Sequence, residues 1–224
     1  MTSISTPLVI FGTSEIAQLA QFYFEHDSDL RPVCFAVDRE FISADTLMGL
    51  PVVALDELVS QYPPDDHLAF VALSYARVNA LRAEKVRQMR LLGYRLASYV
   101  STRATTFPGF VVGDNCFLLE DNTIQPFARI GNNVTLWSGN HIGHHCTIGD
   151  DVFISSHVVV SGGVNVGAGS FIGVNATIRD HVSIGPRCVI GAGSLITADC
   201  EAEGVYTMPA AERSRVPSSR LRRI

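Results

Sequence analysis

Side chains that can move protons are concentrated in one short window of an otherwise aliphatic stretch. The window contains Asn140, His141, His144, His145 and His157. An imidazole is the side chain best suited to accept a proton near neutral pH, so we predict that His144, two residues after an aliphatic position, is a general base on an outward corner. A zinc site that includes His141 and His145, and solvated histidines without a role, are the alternatives. We expect no metal.

A backbone N–H suited to stabilise an oxyanion follows eighteen residues after His144, where the sequence reads Ser161-Gly162-Gly163. If the chain repeats every eighteen residues, Gly162 lies directly above His144. Its N–H, with no side chain in the way, can then point at the oxygen of an attacked thioester. A general base and an oxyanion donor on adjacent coils are the minimum for acyl transfer. We predict His144, His145 and Gly162 as catalytic residues, and Gly162 and Gly163 as contacts of the acyl donor.

An unbroken six-residue repeat predicts this geometry. Stepping by six from Val112 to Ile196 gives fifteen positions, all of them Val, Ile or Leu, although the whole segment holds only twenty-five such residues. Three hexads make one triangular coil, so the pattern predicts a left-handed parallel β-helix of about five coils. Such a prism exposes flat faces, which trimer packing usually covers, and two ends, which we expect the N-terminal domain and the segment after Thr197 to cover.

Small residues complete the pattern. Slim side chains lie two positions before the aliphatic residues, and we predict that Cys116, Cys146 and Cys188, with Cys200 in the same phase, fill the core and have no redox role. Glycine often follows the aliphatic residue directly, as at Gly143. We predict that the chain turns its corners at these glycines.

Before the repeat, the apolar pattern changes to alternating strands and helices. We predict a small Rossmann-like α/β domain over residues 1–103, the β-helix over 104–199 and a tail over 200–224. The predicted strands cover residues 8–11, 32–37, 68–73 and 95–100, and the predicted helices cover 15–24, 55–61 and 76–92.

Sheets of this kind bind ligands at the carboxyl ends of their strands. The residues predicted to bind substrate are therefore Gly12, Thr13, Ser14, Asp38 and Ser74, together with Asn140, His141 and His157 of the polar window. The Gly12 turn is not a full Gly-x-Gly-x-x-Gly motif, which makes it a weak dinucleotide signal. Two interpretations of this turn remain as alternatives: a phosphate bound at the helix N-terminus, and a purely structural turn.

Composition excludes several classes of protein. The 224 residues carry a net charge of −5, and no Lys/Arg run occurs outside the last dozen residues, so we expect no nucleic acid partner. No apolar stretch reaches the roughly 18 residues of a membrane span. Residues 1–7 lack the features of a secretory signal, and we expect a cytoplasmic protein without a membrane partner. Five cysteines without a CxxC pair predict neither a disulfide framework nor a zinc knuckle.

These features together resemble a known family. The strand-Gly-helix start, the β-helix and the His-x-Cys-x-Ile-Gly run of residues 144–149 look like the sialic acid O-acetyltransferase (NeuD) and bacillosamine N-acetyltransferase (PglD) group, which includes GDP-perosamine N-acetyltransferases. The resemblance covers nearly the whole chain. It implies a homotrimer with acetyl-CoA in the groove between neighbouring β-helices and a nucleotide-linked sugar on the N-terminal domain. It also implies that His144 deprotonates a sugar amine and that Gly162 N–H stabilises the oxyanion.

The sequence departs from this family in the first turn and beside the base. The residue after the catalytic histidine is His145, where the family has Asp or Glu. The orienting partner of His144 is therefore open, with Asn140, or His157 from a neighbouring subunit, as alternatives. The glycine-rich turn is reduced to Gly-Thr-Ser at residues 12–14, so the resemblance does not determine which nucleotide is bound.

The C-terminal segment departs as well. Residues 204–210 look like the family's Gly-Val-Pro-Ala segment, with Met208 at its second glycine. Arg213 and Arg215 follow, and we predict that they bind the 3′-phosphate of coenzyme A, with a basic solvated tail as the alternative. The predicted function is acetyl-CoA-dependent N-acetylation of a nucleotide-linked amino sugar for surface glycan biosynthesis. Sugar O-acetylation and a non-catalytic trimeric sugar-binding scaffold are the alternatives.

Overall fold

The computed structural model describes residues 6–213 and 215–220, which form an α/β domain followed by a β-helix. The elements of the α/β domain are β1 Thr6–Phe11, α1 Glu15–His26, β2 Leu30–Val37, a 3₁₀ turn at Arg39–Phe41, β3 Thr46–Leu47, β4 Leu50–Ala54, α2 Leu55–Gln61, β5 Leu68–Val71, α3 Ala80–Leu91 and β6 Arg95–Leu96. The strand order is β3-β4-β2-β1-β5-β6, and only the β3–β4 pair is antiparallel.

The central strand β1 explains why this domain forms a two-sided sheet. Val9 and Phe11 belong to the core on one face, and Leu8 and Ile10 belong to the core on the other. A parallel strand that is buried on both faces has a continuous apolar run instead of an alternating one. The predicted Rossmann-like sheet is confirmed.

Three details differ from the predicted elements. Helix α3 begins at Ala80 and not at residue 76, because Arg77, Val78 and Asn79 have positive φ angles of 53°, 50° and 65°. Residues 99–100 leave the predicted strand 95–100 and pair with the β-helix instead. Strands β3 and β4 lie in a segment for which no element is predicted, and β4 pairs with β2.

The β-helix consists almost entirely of two-residue strands spaced six residues apart. They are β7 Tyr99–Val100, β8 Phe117–Leu118, β9 Thr123–Ile124, β10 Arg129–Ile130, β11 Thr135–Leu136, β12 His141–Ile142, β13 Thr147–Ile148, β14 Phe153–Ile154, β15 Val159–Val160, β16 Asn165–Val166, β17 Phe171–Ile172, β18 Thr177–Ile178, β19 Ser183–Ile184, β20 Val189–Ile190, β21 Leu195–Ile196 and β22 Val205–Tyr206. A 3₁₀ turn at Ser218–Arg220 follows. The sequence predicts that the β-helix covers residues 104–199. In the structure its coils begin before residue 104 and continue past residue 199.

Three parallel sheets form the faces of the prism. We call the sheet of β7, β8, β11, β14, β17, β20 and β22 the domain face, that of β9, β12, β15, β18 and β21 the second face, and that of β10, β13, β16 and β19 the third face. Partner residues lie eighteen positions apart, as in the register Leu118, Leu136 and Ile154, except between β20 and β22, where they lie sixteen apart. The left-handed β-helix with eighteen residues per coil is confirmed.

The repeat builds the core that the sequence predicts. Every hexad aliphatic from Leu118 to Ile196 is at most 7% exposed, and each buried side chain of this size stabilises the fold by roughly 1.5–3 kcal/mol. The thiols of Cys116, Cys146, Cys188 and Cys200 are free and buried in the same core. Their predicted packing role is confirmed.

The corners differ from the prediction in one respect. The left-handed backbone lies three residues after each aliphatic, as at Asn133 (φ 56°) and His145 (φ 58°), and not one residue after it. Gly143 is needed for another reason, since a Cβ there would lie 2.6 Å from the Gly162 nitrogen of the next coil. The glycines directly after the aliphatics therefore permit close stacking of coils, and the prediction that they turn the corners is wrong.

The α/β domain is fixed to the domain face by a buried arginine. Arg82, 1% exposed, donates to the Asn133 side-chain oxygen and backbone carbonyl and to the Asp151 carbonyl, each at 3.1 Å. Burial lowers the pKa of its guanidinium to about 10. Asn79 Nδ2 donates to the carbonyls of Gly169 and Ser170 at 3.0 Å, which accounts for the late start of α3.

A second junction joins the end of α1 to the first coil. Asp27 accepts hydrogen bonds from Thr102 Oγ1 (2.6 Å), from Tyr99 Oη (2.6 Å) and from the Thr102 N–H (3.0 Å). The Thr102 hydroxyl, followed by Tyr99, lowers the pKa of this carboxyl to about 2. In the part of the chain covered by the structure, no helix is long and apolar enough to cross a bilayer.

Candidate active site

His144 and His145 lie on the corner that joins the second and third faces, between β12 and β13. Both side chains are exposed. The His144 N–H donates to Gln125 Oε1 of the coil below at 2.9 Å, and the His145 N–H donates to the Pro126 carbonyl at 3.4 Å. We call this edge of the prism the histidine corner.

The His144 ring lies directly against Gly162 of the next coil. A Cβ at Gly162 would lie 2.5 Å from His144 Cε1 and 2.7 Å from Nε2, so only a glycine leaves room for the imidazole in this position. The predicted stacking of these two residues is confirmed.

The Gly162 N–H is free to bind a ligand. It donates no hydrogen bond within residues 6–213 and 215–220, and with no Cβ on Gly162 the space beside this N–H is open to the His144 ring. An imidazole and an unused backbone donor thus lie side by side on an exposed edge. This pair can accept a proton and stabilise a developing oxyanion.

His145 is in position to orient His144. The two Nδ1 atoms lie 3.1 Å apart, and the centroids of the Phe127 and His145 rings lie 4.7 Å apart. When His144 carries its proton on Nδ1 and donates it in a hydrogen bond to His145 Nδ1, the lone pair of His144 is on Nε2, beside Gly162. His145 can therefore select the tautomer of His144 that acts as a base at Nε2.

Three other residues of the polar window lie elsewhere. Asn140 is 1% exposed, because it occupies the inward position two residues before Ile142, and its side chain binds the Val158 N–H and the Trp137 carbonyl. It has no surface left for a substrate or for His144. His141 is half-buried on the second face beside the histidine corner, and His157 is exposed on a different corner.

Sequence reasoning missed one histidine on this corner. His181 lies two coils above His145, its ring lies against Gly163, and its N–H donates to the Gly162 carbonyl at 3.0 Å. A count of thirty-six residues from His145 would have found it. The Gly163 N–H donates to the His144 carbonyl at 2.8 Å and is not free for a ligand. Among the residues with a described structure, no group of three His, Cys, Asp or Glu side chains is arranged to hold a metal ion.

The predicted substrate residues of the α/β domain share one edge of its sheet. Gly12 to Ser14 follow β1, Asp38 follows β2 and Ser74 follows β5, and these three strands are neighbours. Gly12 has a φ of 123°, and a Cβ there would lie 2.7 Å from the Ala72 carbonyl oxygen, so this tight turn requires glycine. The Asp38 carboxylate pairs with Lys85 Nζ at 2.6 Å. We call this edge the sheet edge.

The sheet edge and the histidine corner lie on different sides of the prism. The α/β domain packs on the domain face, where Phe117 of the β-helix joins the core of the α/β domain. Near the sheet edge, the ring of Tyr75 lies 5.1 Å from that of Phe153 on the domain face. The histidine corner joins the other two faces. Arg213 and Arg215 are exposed beyond β22 and form no ion pair with any residue whose position is described.

The repeats and the whole chain are similar to known proteins. Residues 127–162 and 163–198 each match the family model described as bacterial transferase hexapeptide (six repeats). The acetyltransferase domain of PglB from Neisseria gonorrhoeae is 21% identical, with a TM-score of 0.78 over 87% of this chain and 93% of that one. A variant of perosamine N-acetyltransferase from Caulobacter crescentus, in complex with CoA and GDP-perosamine, is 22% identical, with a TM-score of 0.80 over 89% and 92%.

The chain has the fold of these proteins. WeeI from Acinetobacter baumannii is similar as well, with 20% identity and a TM-score of 0.68 over 88% of this chain and 94% of that one. The shared architecture includes both the α/β domain and the β-helix, because these matches cover nearly the full length of each chain. Comparison with curated protein sequences finds no match.

Proposed function

We propose that this protein is an acetyl-CoA-dependent N-acetyltransferase that acylates an amino group on a nucleotide-linked sugar, for surface glycan assembly in the cytoplasm. The observation that carries the proposal is the His144 imidazole lying against Gly162, whose N–H is unused. The structural neighbours support the substrate class, since one of them was solved with CoA and GDP-perosamine and another with acetyl coenzyme A.

The residues of the histidine corner fit each step of this reaction. The sugar amine attacks the thioester carbonyl carbon while His144 Nε2 removes a proton from the amine nitrogen. The carbonyl oxygen becomes an oxyanion that accepts a hydrogen bond from Gly162 N–H. When the C–S bond breaks, the coenzyme A sulfur leaves and takes the proton from the His144 imidazolium. His145 keeps the His144 proton on Nδ1 between turnovers.

The separation of the two predicted ligand regions supports a trimer. A nucleotide held at the sheet edge by Gly12, Ser14 and Asp38 lies on the side of the prism away from His144 of the same chain. A neighbouring copy can bring its own sheet edge to this histidine corner. Coenzyme A then lies in the groove between two β-helices, with Arg213 and Arg215 near its 3′-phosphate.

A substrate panel tests the proposal. Purified protein is incubated with acetyl-CoA and with GDP-, UDP- and dTDP-linked amino sugars, beside the matching hydroxyl sugars, and free thiol is detected. We expect turnover with at least one amino sugar and none with its hydroxyl analogue. Turnover of the hydroxyl sugar alone would indicate O-acetylation, and no turnover with any acceptor would leave a binding scaffold.

The His144→Ala variant tests the assigned base. We expect turnover to fall by about a hundredfold to ten-thousandfold, the range for loss of a general base, with the oligomeric state unchanged in light scattering. Val174→Ala is the matched control, because Val174 is also exposed and occupies the same hexad position as His144 on another corner. Unchanged turnover of His144→Ala would remove this residue from the mechanism.

A further inference from the structure

A cavity of about 370 Å³ lies on the histidine corner, one coil below His144. Its walls are residues 107–110 of the first coil and residues 124–129 of the second. Clefts that hold small ligands begin at about 300 Å³, so the cavity is large enough for a single sugar ring. Neither the predicted sheet-edge site nor the chemistry at Gly162 uses it.

Two wall residues connect this cavity to the histidine pair. Gln125 accepts the His144 N–H through Oε1 at 2.9 Å, and the Phe127 ring, 72% exposed, lies 4.7 Å from the His145 ring. The cavity, His144 and Gly162 therefore follow one another along the same edge of the prism. The base lies between an open cavity below and the oxyanion donor above.

The walls are suited to an apolar ring face with few polar substituents. Phe107, Phe110 and Phe127 supply aromatic surfaces, and pockets for small ligands combine such surfaces with a few placed polar groups. The Gln125 side-chain NH₂ donates no hydrogen bond in the described chain, and Arg129 is the charged residue of the wall. A carbohydrate ring presents C–H faces and a small number of hydroxyls, which matches these surfaces.

We propose that this cavity binds the sugar ring of the acceptor and presents its amine to His144, an assignment that rests on the proposed function. The thioester oxygen belongs on the Gly162 side of the imidazole, so the nucleophile approaches from the cavity side. The specificity for the sugar is then decided at Phe127, while the nucleotide half of the substrate is bound by other residues.

The Phe127→Ala variant tests this assignment against acceptors and donor separately. Loss of one aromatic face should raise the KM for an amino-sugar acceptor of the panel about tenfold. The KM for acetyl-CoA should stay within twofold. Calorimetry with GDP-perosamine and GDP adds a readout without turnover, because only the sugar-bearing ligand should lose affinity. Phe127→Tyr should restore acceptor binding, and Asn175→Ala is the matched corner control.

The outcomes separate this proposal from the function on which it rests. Absence of turnover by the unaltered protein with every acceptor overturns the proposed function and this assignment together. Normal acceptor KM in Phe127→Ala overturns the cavity assignment alone. A raised KM for acetyl-CoA with an unchanged acceptor KM also overturns it, since the cavity would then hold the acyl donor.

Discussion

Replacing Gly162 by alanine should strongly reduce the proposed acetyltransferase activity without unfolding the protein. The added Cβ would lie 2.5 Å from His144 Cε1, and ordinary contact begins at 3.4 Å, so the ring must move by the difference, about 0.9 Å. A displacement of about 1 Å at the reacting atoms can cost a hundredfold in rate. We therefore expect kcat to fall about a hundredfold, which is about 2.7 kcal/mol in activation free energy.

The stability of this variant should hardly change. Ala168 and Ala192 occupy the same position of their hexads on other corners, so the backbone tolerates a Cβ there. The exposed His144 ring can rotate away at a cost of about 0.5–1.5 kcal/mol. Alanine has less conformational entropy than glycine in the unfolded chain, and this difference offsets about 0.4–1 kcal/mol of that cost. Urea unfolding followed by circular dichroism should show a difference of about 1 kcal/mol or less.

A double-mutant cycle makes the argument refutable. If Gly162→Ala acts by moving the imidazole, it should have no further effect on kcat in the His144→Ala background. Steady-state kinetics of the unaltered protein, both single variants and the double variant provide the comparison. Full activity of Gly162→Ala would refute the reasoning, and so would an additive loss in the double variant.

Two further predictions concern His145 and Asp27. His145→Ala should lower kcat tenfold to hundredfold with little change in KM, because His144 loses the acceptor for its Nδ1 proton. His145→Asn should restore most of the rate, since asparagine supplies an oxygen near the Nδ1 position and tolerates the φ of 58°. Stopped-flow thiol detection measures both variants, and equal rates in the two would count against an orienting role. Asp27 has a folded-state pKa lowered to about 2, so the stability it contributes is present above about pH 4 and is lost as the pH falls towards 2. Asp27→Asn should therefore flatten the dependence of unfolding free energy on pH between pH 5 and 2, and an unchanged slope would contradict this.

Much of the β-helix could be predicted because its geometry is periodic. Each coil contacts only the coils above and below, so a spacing of eighteen residues in sequence becomes a direct contact in space. This is why the pairing of His144 with Gly162, and the burial of Cys146, follow from counting. The same counting, carried through consistently, would also have placed Asn140 in the core and His181 on the histidine corner.

The corners show where a sequence pattern has two physical explanations. A glycine such as Gly143 can relieve a positive φ or make room for a neighbouring chain. The pattern is identical in both cases, and only the backbone angles and the distance to the next coil distinguish them. The left-handed positions carry Asn, Asp, His, Phe and Arg as well as Gly, so residue type alone identifies them poorly.

By itself, the sequence determined the repeat, its core and the contact between His144 and Gly162, because each depends on local periodicity. Only the tertiary structure decided which face the α/β domain covers, through the buried Arg82 and the left-handed turn at Asn79. That docking separates the sheet edge from the histidine corner, and the folding of the first coil opens the cavity beneath His144. These features depend on single side-chain contacts between residues far apart in the sequence. Such contacts do not repeat at a regular interval, so no sequence spacing predicts them.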